Sequence, residues 1–451
     1  MTESTTAAGL QGKGLSDDAR RLETASWAEL TGVLPSDLDA SAKASGALVR
    51  RRGIQSAQDL LRMIFAYAIC DWSLRLVGAW LVISGLADIS DVAILRRLRH
   101  SQRWLGQLIV ALLCRRQVCL AAQPGVHLRI VDATQIFDGQ RAHWYVHACF
   151  DLGQMCLAGV AVTDAHSGES LVRFPGQAGE ILLADRGYAH AKGLGASLAH
   201  GAHLVVRCHW QNLVLQEDGG QHVDLLAWLT ASAGSSFSQP SERQLWLSTA
   251  QGRFALRLVT AALPPAAAER ARQRVRTKAQ LRGRTPSQAN LWAAGFILVL
   301  TNLPSEGWSS QQVLDLYRLR WQVELLFKRH KSLFNLDGLR AHDPQLVQTY
   351  LLAKLLAALW LEDLVQDVAT TMPDWFSTLE RPVSLWRLTQ CLWTQLQHNV
   401  QGMIHGSQIQ DALPRLRRFL CDTPRQRQQQ LAVARAWLSR LSTGQSACAE
   451  P

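Results

Sequence analysis

Residues 181–207 read ILLADRGYAHAKGLGASLAHGAHLVVR. Ile181–Ala184 is a compact apolar run that stops at an acid, Asp185. Arg186, Gly187 and Tyr188 come next, then a predicted helix over Ala191–Ala199. His203–Arg207 is a second buried strand. Upstream, Val126–Val131 is another β-like run that ends on an acid, Asp132. Trp144–Leu152 and Cys156–Thr163 follow it, with a turn at Phe137–Arg141. Three strands in series, then strand–helix–strand, predict an α/β fold: a mixed sheet with helices.

Downstream the texture changes. Gln244–Ala250, a Gln251–Gly252 turn and Arg253–Val259 make a hairpin in which Leu245, Leu247, Phe254, Leu256 and Leu258 alternate. Pro264 and Pro265 are expected to break the chain. Residues 270–284 then carry Arg270, Arg272, Arg274, Arg276, Lys278, Arg282 and Arg284 with no acid among them. This segment reads as a strand-rich insertion with a basic arm. Phe296–Thr301 is again a buried strand, and Ser309–Leu333 is expected to be one long helix. At the other end, Leu60, Ile64, Tyr67 and Ala68 have helical spacing, Leu74–Ile83 is a second helix, and Ser90-Asp91 caps a basic helix, Val92–Arg99. The expected organisation is therefore a flexible tail (1–15), a helical DNA-binding region (16–120), a first core segment (121–207), the insertion (208–294), a second core segment (295–375) and a helical C-terminal region (376–451) that could dimerise.

The chain has 451 residues, 48% hydrophobic and 18% charged, with a formal net charge of +11. That balance is globular, and the excess favours a polyanionic partner. The 47 basic residues are mostly Arg, whose fork matches phosphate, although a GC-rich genome would also enrich Arg. The longest uncharged apolar runs fall well short of the ~20 residues that span a bilayer, and residues 1–14 have no apolar leader. Nine scattered cysteines without a CxxC pair fit a reducing cytosol.

On a continuous helix Tyr317, Arg320, Glu324 and Lys331 project within an arc of about 60°, along roughly 21 Å of one face. One carboxylate among Arg, Lys and a phenol suits a metal-binding acid set between phosphate-gripping groups. Taken alone, an exposed Arg320–Glu324 pair is the plainer account. Asp132 and Asp185 change that balance. Two strand-end carboxylates and a third from a later helix can hold a pair of hard divalent ions, and such a pair stabilises both oxygens of an in-line phosphoryl displacement. Either aspartate alone would read as a turn or cap residue.

The spacing Y-x2-R-x3-E-x6-K is met in full by Tyr317, Arg320, Glu324 and Lys331, with VDATQI around the first acid, LLADRGYA around the second and TNLP at 301–304. In these features the chain resembles the insertion-sequence-four family of DDE transposases. The resemblance implies an RNase H-like core interrupted by a β-rich insertion, with Asp132, Asp185 and Glu324 as catalytic metal ligands. It implies Tyr317, Arg320 and Lys331 as DNA-backbone contacts, and Arg207 as a further one. It also implies an aromatic platform for a flipped base, either Trp292 or Phe296.

The expected activity is cut-and-paste transposition on double-stranded DNA, transposon ends and target alike. Two Mg²⁺ per site would be used, with Mn²⁺ substituting, and no nucleotide cofactor, because the Walker spacing is absent. A homodimer on DNA, no membrane, and a cytoplasmic, nucleoid-associated location complete the expectation. The rival readings are a metal-dependent nuclease without strand transfer and a non-enzymatic DNA-binding relic. The relic would need a damaged triad, and all three acids are present. His143 and His147 on one strand face would lie roughly 13 Å apart, too far to share an ion. Asp151 and Asp164 read as strand-end residues.

Overall fold

The computed structural model describes residues 27, 34–121, 127–137, 143–153, 156–232, 240–339, 341–374, 384–402 and 406–420. The tail expected over residues 1–15, most of the expected turn after Phe137 and the chain beyond Leu420 lie outside these. The described residues fall into two compact units, one within 105–392 and one combining the chain before 105 with the chain after 392.

The first helices of the second unit are α1 (Leu38–Ser45), α2 (Ala57–Ala68), α3 (Leu74–Ile83) and α4 (Asp91–His100). Three of them start on a serine. The hydroxyls of Ser56, Ser73 and Ser90 accept from the amides of Asp59, Leu76 and Ala93. Each cap satisfies an amide that the helix itself cannot.

The larger unit begins in α5 (Gln102–Ala121) and is built on β1 (His127–Phe137), β2 (His143–Asp151), β3 (Cys156–Asp164), β4 (Glu180–Ala184), α6 (Ala191–Ala199), β5 (His203–Arg207), β6 (Leu215–Gln216), α7 (Leu225–Ser232), β7 (Ser241–Thr249), β8 (Gly252–Ala262), α8 (Pro265–Gln280), α9 (Gln288–Ala293) and β9 (Phe296–Thr301). One sheet of nine strands results, in the order β3-β2-β1-β4-β5-β9-β8-β7-β6. β1, β4 and β5 are mutually parallel, and the remaining pairings are antiparallel. The first five strands form the RNase H-like core that the resemblance implies. Among the described residues the insertion does not build a sheet of its own. Its hairpin β7–β8 joins the core sheet across β9, which pairs with β5 on one side and β8 on the other.

Alternation sorts the strand residues onto two faces. Val131, Leu182, Ala184, Leu204, Val206, Leu256, Leu258, Leu298 and Leu300 pack with Leu194 of α6 and Leu225 and Leu229 of α7 in one core. The opposite face of the parallel strands is covered by α10 (Ser310–Arg318) and α11 (Trp321–Phe334).

Three local expectations are corrected. The run ending at Val131 is longer than predicted: β1 continues through Asp132 to Phe137, because the chain beyond Val131 pairs with β2 as a hairpin arm. The single long helix is two helices. At the break the amides of Leu319 and Arg320 take carbonyls three residues back instead of four, those of Leu316 and Tyr317, a tightened turn that ends α10. The prolines start a helix rather than break the chain. Pro265 occupies the first turn of α8, where no amide partner is needed, so the basic arm is helical up to Gln280, with Glu269 paired to Arg272 and Arg276.

α12 (Pro344–Thr371), α13 (Leu385–Gln401) and α14 (Gly406–Leu420) follow. The C-terminal chain returns to the N-terminal helices. α14 lies on α3, where Gly78 makes room for the Phe419 ring: a Cβ there would fall 2.3 Å from its Cε1. Arg62 donates from Nε to the Val400 carbonyl (2.8 Å), and Trp80 from Nε1 to that of Gln401 (2.9 Å).

Candidate active site

Strand register brings the first two acids together. Val131 pairs with Ala184, and Ala184 with Val206, all in parallel. The residues one step on are Asp132, Asp185 and Arg207. They form a row across three adjacent strands, at the C-terminal ends of β4 and β5 and midway along β1, each step about 4.8 Å. Alternation turns them away from the α6–α7 core, toward α10 and α11.

The two signature helices reach down to this row. From α10, the Tyr317 hydroxyl donates to Asp185 Oδ1 (2.9 Å). Arg320, at the helix break, donates from Nη1 to Asp132 Oδ2 (2.8 Å) and from Nη2 to Glu324 Oε1. Lys331 donates to the Gln135 carbonyl on β1 (2.9 Å) and pairs with Asp337 (3.1 Å). The angular sum made on one continuous helix does not survive the break, but Tyr317 still reaches the end of β4, Arg320 and Lys331 reach β1, and Glu324 is joined to them through Arg320. Arg207 stands next to Asp185 in the row. Phe296 is buried in the sheet core, and Trp292, on α9, is 37% exposed and meets it edge-on at 5.5 Å. Because β9 runs antiparallel to β5, this aromatic pair sits at the same sheet edge as Arg207.

The carboxylates are not equivalent. Burial pushes the Asp132 carboxyl up to about 6; Asp185 and Glu169 add to this, against Arg320 and the Ala133 amide. Burial acts the same way on Asp185. There the Arg186 amide, Arg320, the Tyr317 hydroxyl and Arg207 outweigh it and hold the group below its ordinary value. Glu169, in the loop between β3 and β4, is a fourth acid here, raised by burial and by Asp185. Sequence spacing does not find it.

Among the described residues no three of His, Cys, Asp and Glu close around a single point. The Arg320 guanidinium lies between Asp132 and Glu324 and carries the positive charge there. The donor chemistry nevertheless suits a hard divalent ion: every candidate ligand is a carboxylate oxygen, and mutually repelling acids gain most from a cation. Asp132, Asp185 and Glu324 are the residues that would hold it. His147 instead bonds Thr163 through Nε2 (2.8 Å) and stacks on Tyr145.

Asp132 yields a prediction for the metal-free protein. Its folded value (about 6) lies above the ordinary 3.8, so the folded state binds the proton more tightly. The ionised group therefore costs stability, and the cost grows as pH rises from about 4 to about 6. Asp132→Asn should raise stability in EDTA at pH 7 by on the order of 1–2 kcal/mol, with the gain gone at pH 4. Thermal unfolding at the two pH values checks this; an equal gain at both would assign it to packing.

A sheet edge carrying two acids and a basic residue, with a third acid delivered by a Tyr-Arg-Glu-Lys helix pair, is what a DDE nucleotidyl-transfer enzyme presents. Residues 127–360, from the start of β1 into α12, match the family model of the transposase DDE domain. The chain belongs to this family of DDE transposases. It is 38% identical over 340 residues to the putative transposase InsL for insertion sequence element IS186A of Escherichia coli strain K12, which covers 74% of this chain and 91% of that one. The transposase for insertion sequence element IS421 of Escherichia coli is similar to the same degree over 341 residues. The transposase for IS231F of Bacillus thuringiensis subsp. israelensis is 34% identical over 123 residues, 26% of each chain. Membership makes DNA the partner class and a divalent metal ion the cofactor class. Among the described residues no helix is long and apolar enough to cross a membrane.

Proposed function

We propose that the protein is a cut-and-paste transposase that binds the terminal inverted repeats of an insertion sequence, cleaves the phosphodiester at each end and joins the freed 3′-hydroxyl to target DNA. The observation that carries this reading is the registered row of Asp132 and Asp185 on neighbouring parallel strands, tied to Glu324 through Arg320. Two divalent ions, Mg²⁺ with Mn²⁺ as substitute, would supply charge neutralisation and a nucleophile at neutral pH.

The chain's own groups hold and orient. Tyr317 keeps Asp185 fixed through its hydroxyl, and its own proton is secure because burial and Asp185 push the phenol up to about 12. Arg320 joins two acids in the absence of DNA; on the DNA complex the same fork, with Lys331 and Arg207, grips backbone phosphate. Trp292 offers the open ring for an unstacked base, with Phe296 as its support. Water replaces the 3′-oxygen at phosphorus, and that 3′-hydroxyl then displaces a 3′-oxygen of the target. One phosphodiester is exchanged for another, so the joining step consumes no nucleotide. Two ends cut together call for a dimer on DNA, and the basic helix α8 would track the terminal repeats. The action is expected on nucleoid DNA.

The test is a joining assay. Purified protein, labelled element termini and Mg²⁺ should convert a precut end into a product covalently linked to plasmid. Cutting without any joined product would favour the nuclease reading instead.

A further inference from the structure

We propose that Glu169 is a fourth carboxylate of the acidic centre, a metal-positioning group that Gly187 admits by lacking a side chain. The inference rests on the transposase reading and extends its site.

Gly187 lies two residues after Asp185. A Cβ built on it would fall 1.4 Å from Glu169 Oε2, so the carboxylate occupies the volume that any other residue would fill. The φ of Gly187 is not left-handed; space rather than backbone strain is what glycine provides here. The Glu169 backbone is fastened, since His190 donates from Nε2 to its carbonyl (3.0 Å) while Nδ1 caps α6 at Gly193 (3.1 Å). Its carboxylate makes no hydrogen bond or ion pair among the described residues. It lies within electrostatic reach of both Asp132 and Asp185.

A second observation comes from Tyr188, the next residue after that glycine. The side chain is 1% exposed, and its hydroxyl has no hydrogen-bond partner among the described residues. Burial raises its pKa first, and the charges of Asp132 and Glu169 add to that. An unpaired buried hydroxyl and an unpaired carboxylate beside two further acids are each unfavourable. Arg320 makes its ion pairs with Asp132 and Glu324 and reaches Glu169 only through its field, which burial and Asp185 outweigh. A hydrated divalent ion answers both deficits: the carboxylate meets its charge, and the phenol can donate to or accept from its bound water.

The experiment titrates Mn²⁺ into full-length protein on end DNA, reading free Mn²⁺ by electron paramagnetic resonance, and scores cleavage in parallel. Glu169→Gln should weaken Mn²⁺ binding about 10–100-fold, the scale of supporting residues at metal sites. Excess Mn²⁺ should restore its cleavage, and end binding in EDTA should be unchanged. Gly187→Ala should reproduce the defect by displacing the carboxylate, and the double variant should be no worse than either single one. A wild-type titration curve for Glu169→Gln, additive losses in the double variant, or a cleavage defect that Mn²⁺ cannot relieve would each overturn the assignment. Should the Gln variant fail to fold, Glu169→Asp keeps the charge, shortens the reach and carries the same comparison. Wild-type protein that binds Mn²⁺ yet leaves ends uncut would count against the transposase reading alone.

Discussion

Asp185→Ala is expected to lower end cleavage at least about a thousand-fold, the scale on which single members of a concerted catalytic set act, while end binding stays near wild type. Asp185 follows a strand that is buried throughout, and it is the most firmly held of the acids. The Arg186 amide and the Tyr317 hydroxyl bond it, and Arg320 and Arg207 bias it toward the charged form. Removing it takes away a ligand without touching the core side of the sheet, so the fold should survive. A gel shift with labelled ends, run beside a cleavage time course, separates the outcomes. If binding fell in step with cleavage, Asp185 would belong to the DNA-holding surface and not to the chemistry.

The largest effect on stability is expected at Arg116. This arginine on α5 is 7% exposed. It donates from Nε to Asp363 (2.6 Å), and from Nη1 to Glu362 (2.9 Å) and the Leu157 carbonyl (2.8 Å); Nη2 reaches the Leu359 carbonyl. Glu362 also accepts from the Leu157 amide (3.1 Å) and stands 3.6 Å from His330 on α11. One guanidinium therefore ties α5, β3 and α12 together, next to the helix that carries Glu324. Arg116→Met keeps the volume but takes the guanidinium from buried Glu362, while Asp363 keeps Arg115 (3.2 Å), and breaking a buried pair on one side costs about 3–5 kcal/mol. Denaturant unfolding of the metal-free protein should show the midpoint falling at an unchanged slope. A loss below about 1 kcal/mol would mean that water reaches the acids and the network is not what holds α12.

Much of the core could be read from one dimension. Ala191–Ala199, His203–Arg207 and Phe296–Thr301 were predicted with the bounds that the structure has, because short apolar runs between polar breaks leave strands few alternatives. The Tyr-Arg-Glu-Lys spacing was legible for the same local reason: residues three, four and seven apart stay close along helical backbone even across a tightened turn. The limits of β1 and of the signature helix were less legible, since pairing with β2 and the hydrogen bonds at Leu319 and Arg320 are choices made against neighbours.

Sequence order alone thus pointed to the core strands and proposed three acids 192 residues apart from first to last (132 to 324). It could not say that Asp132, Asp185 and Arg207 share one row, because parallel register depends on how separate strands slide against each other. Nor could it show Glu169 resting over Gly187, or α14 returning to α3. Those are contacts between distant segments, and only the three-dimensional packing of buried surface selects among the many that a linear pattern permits.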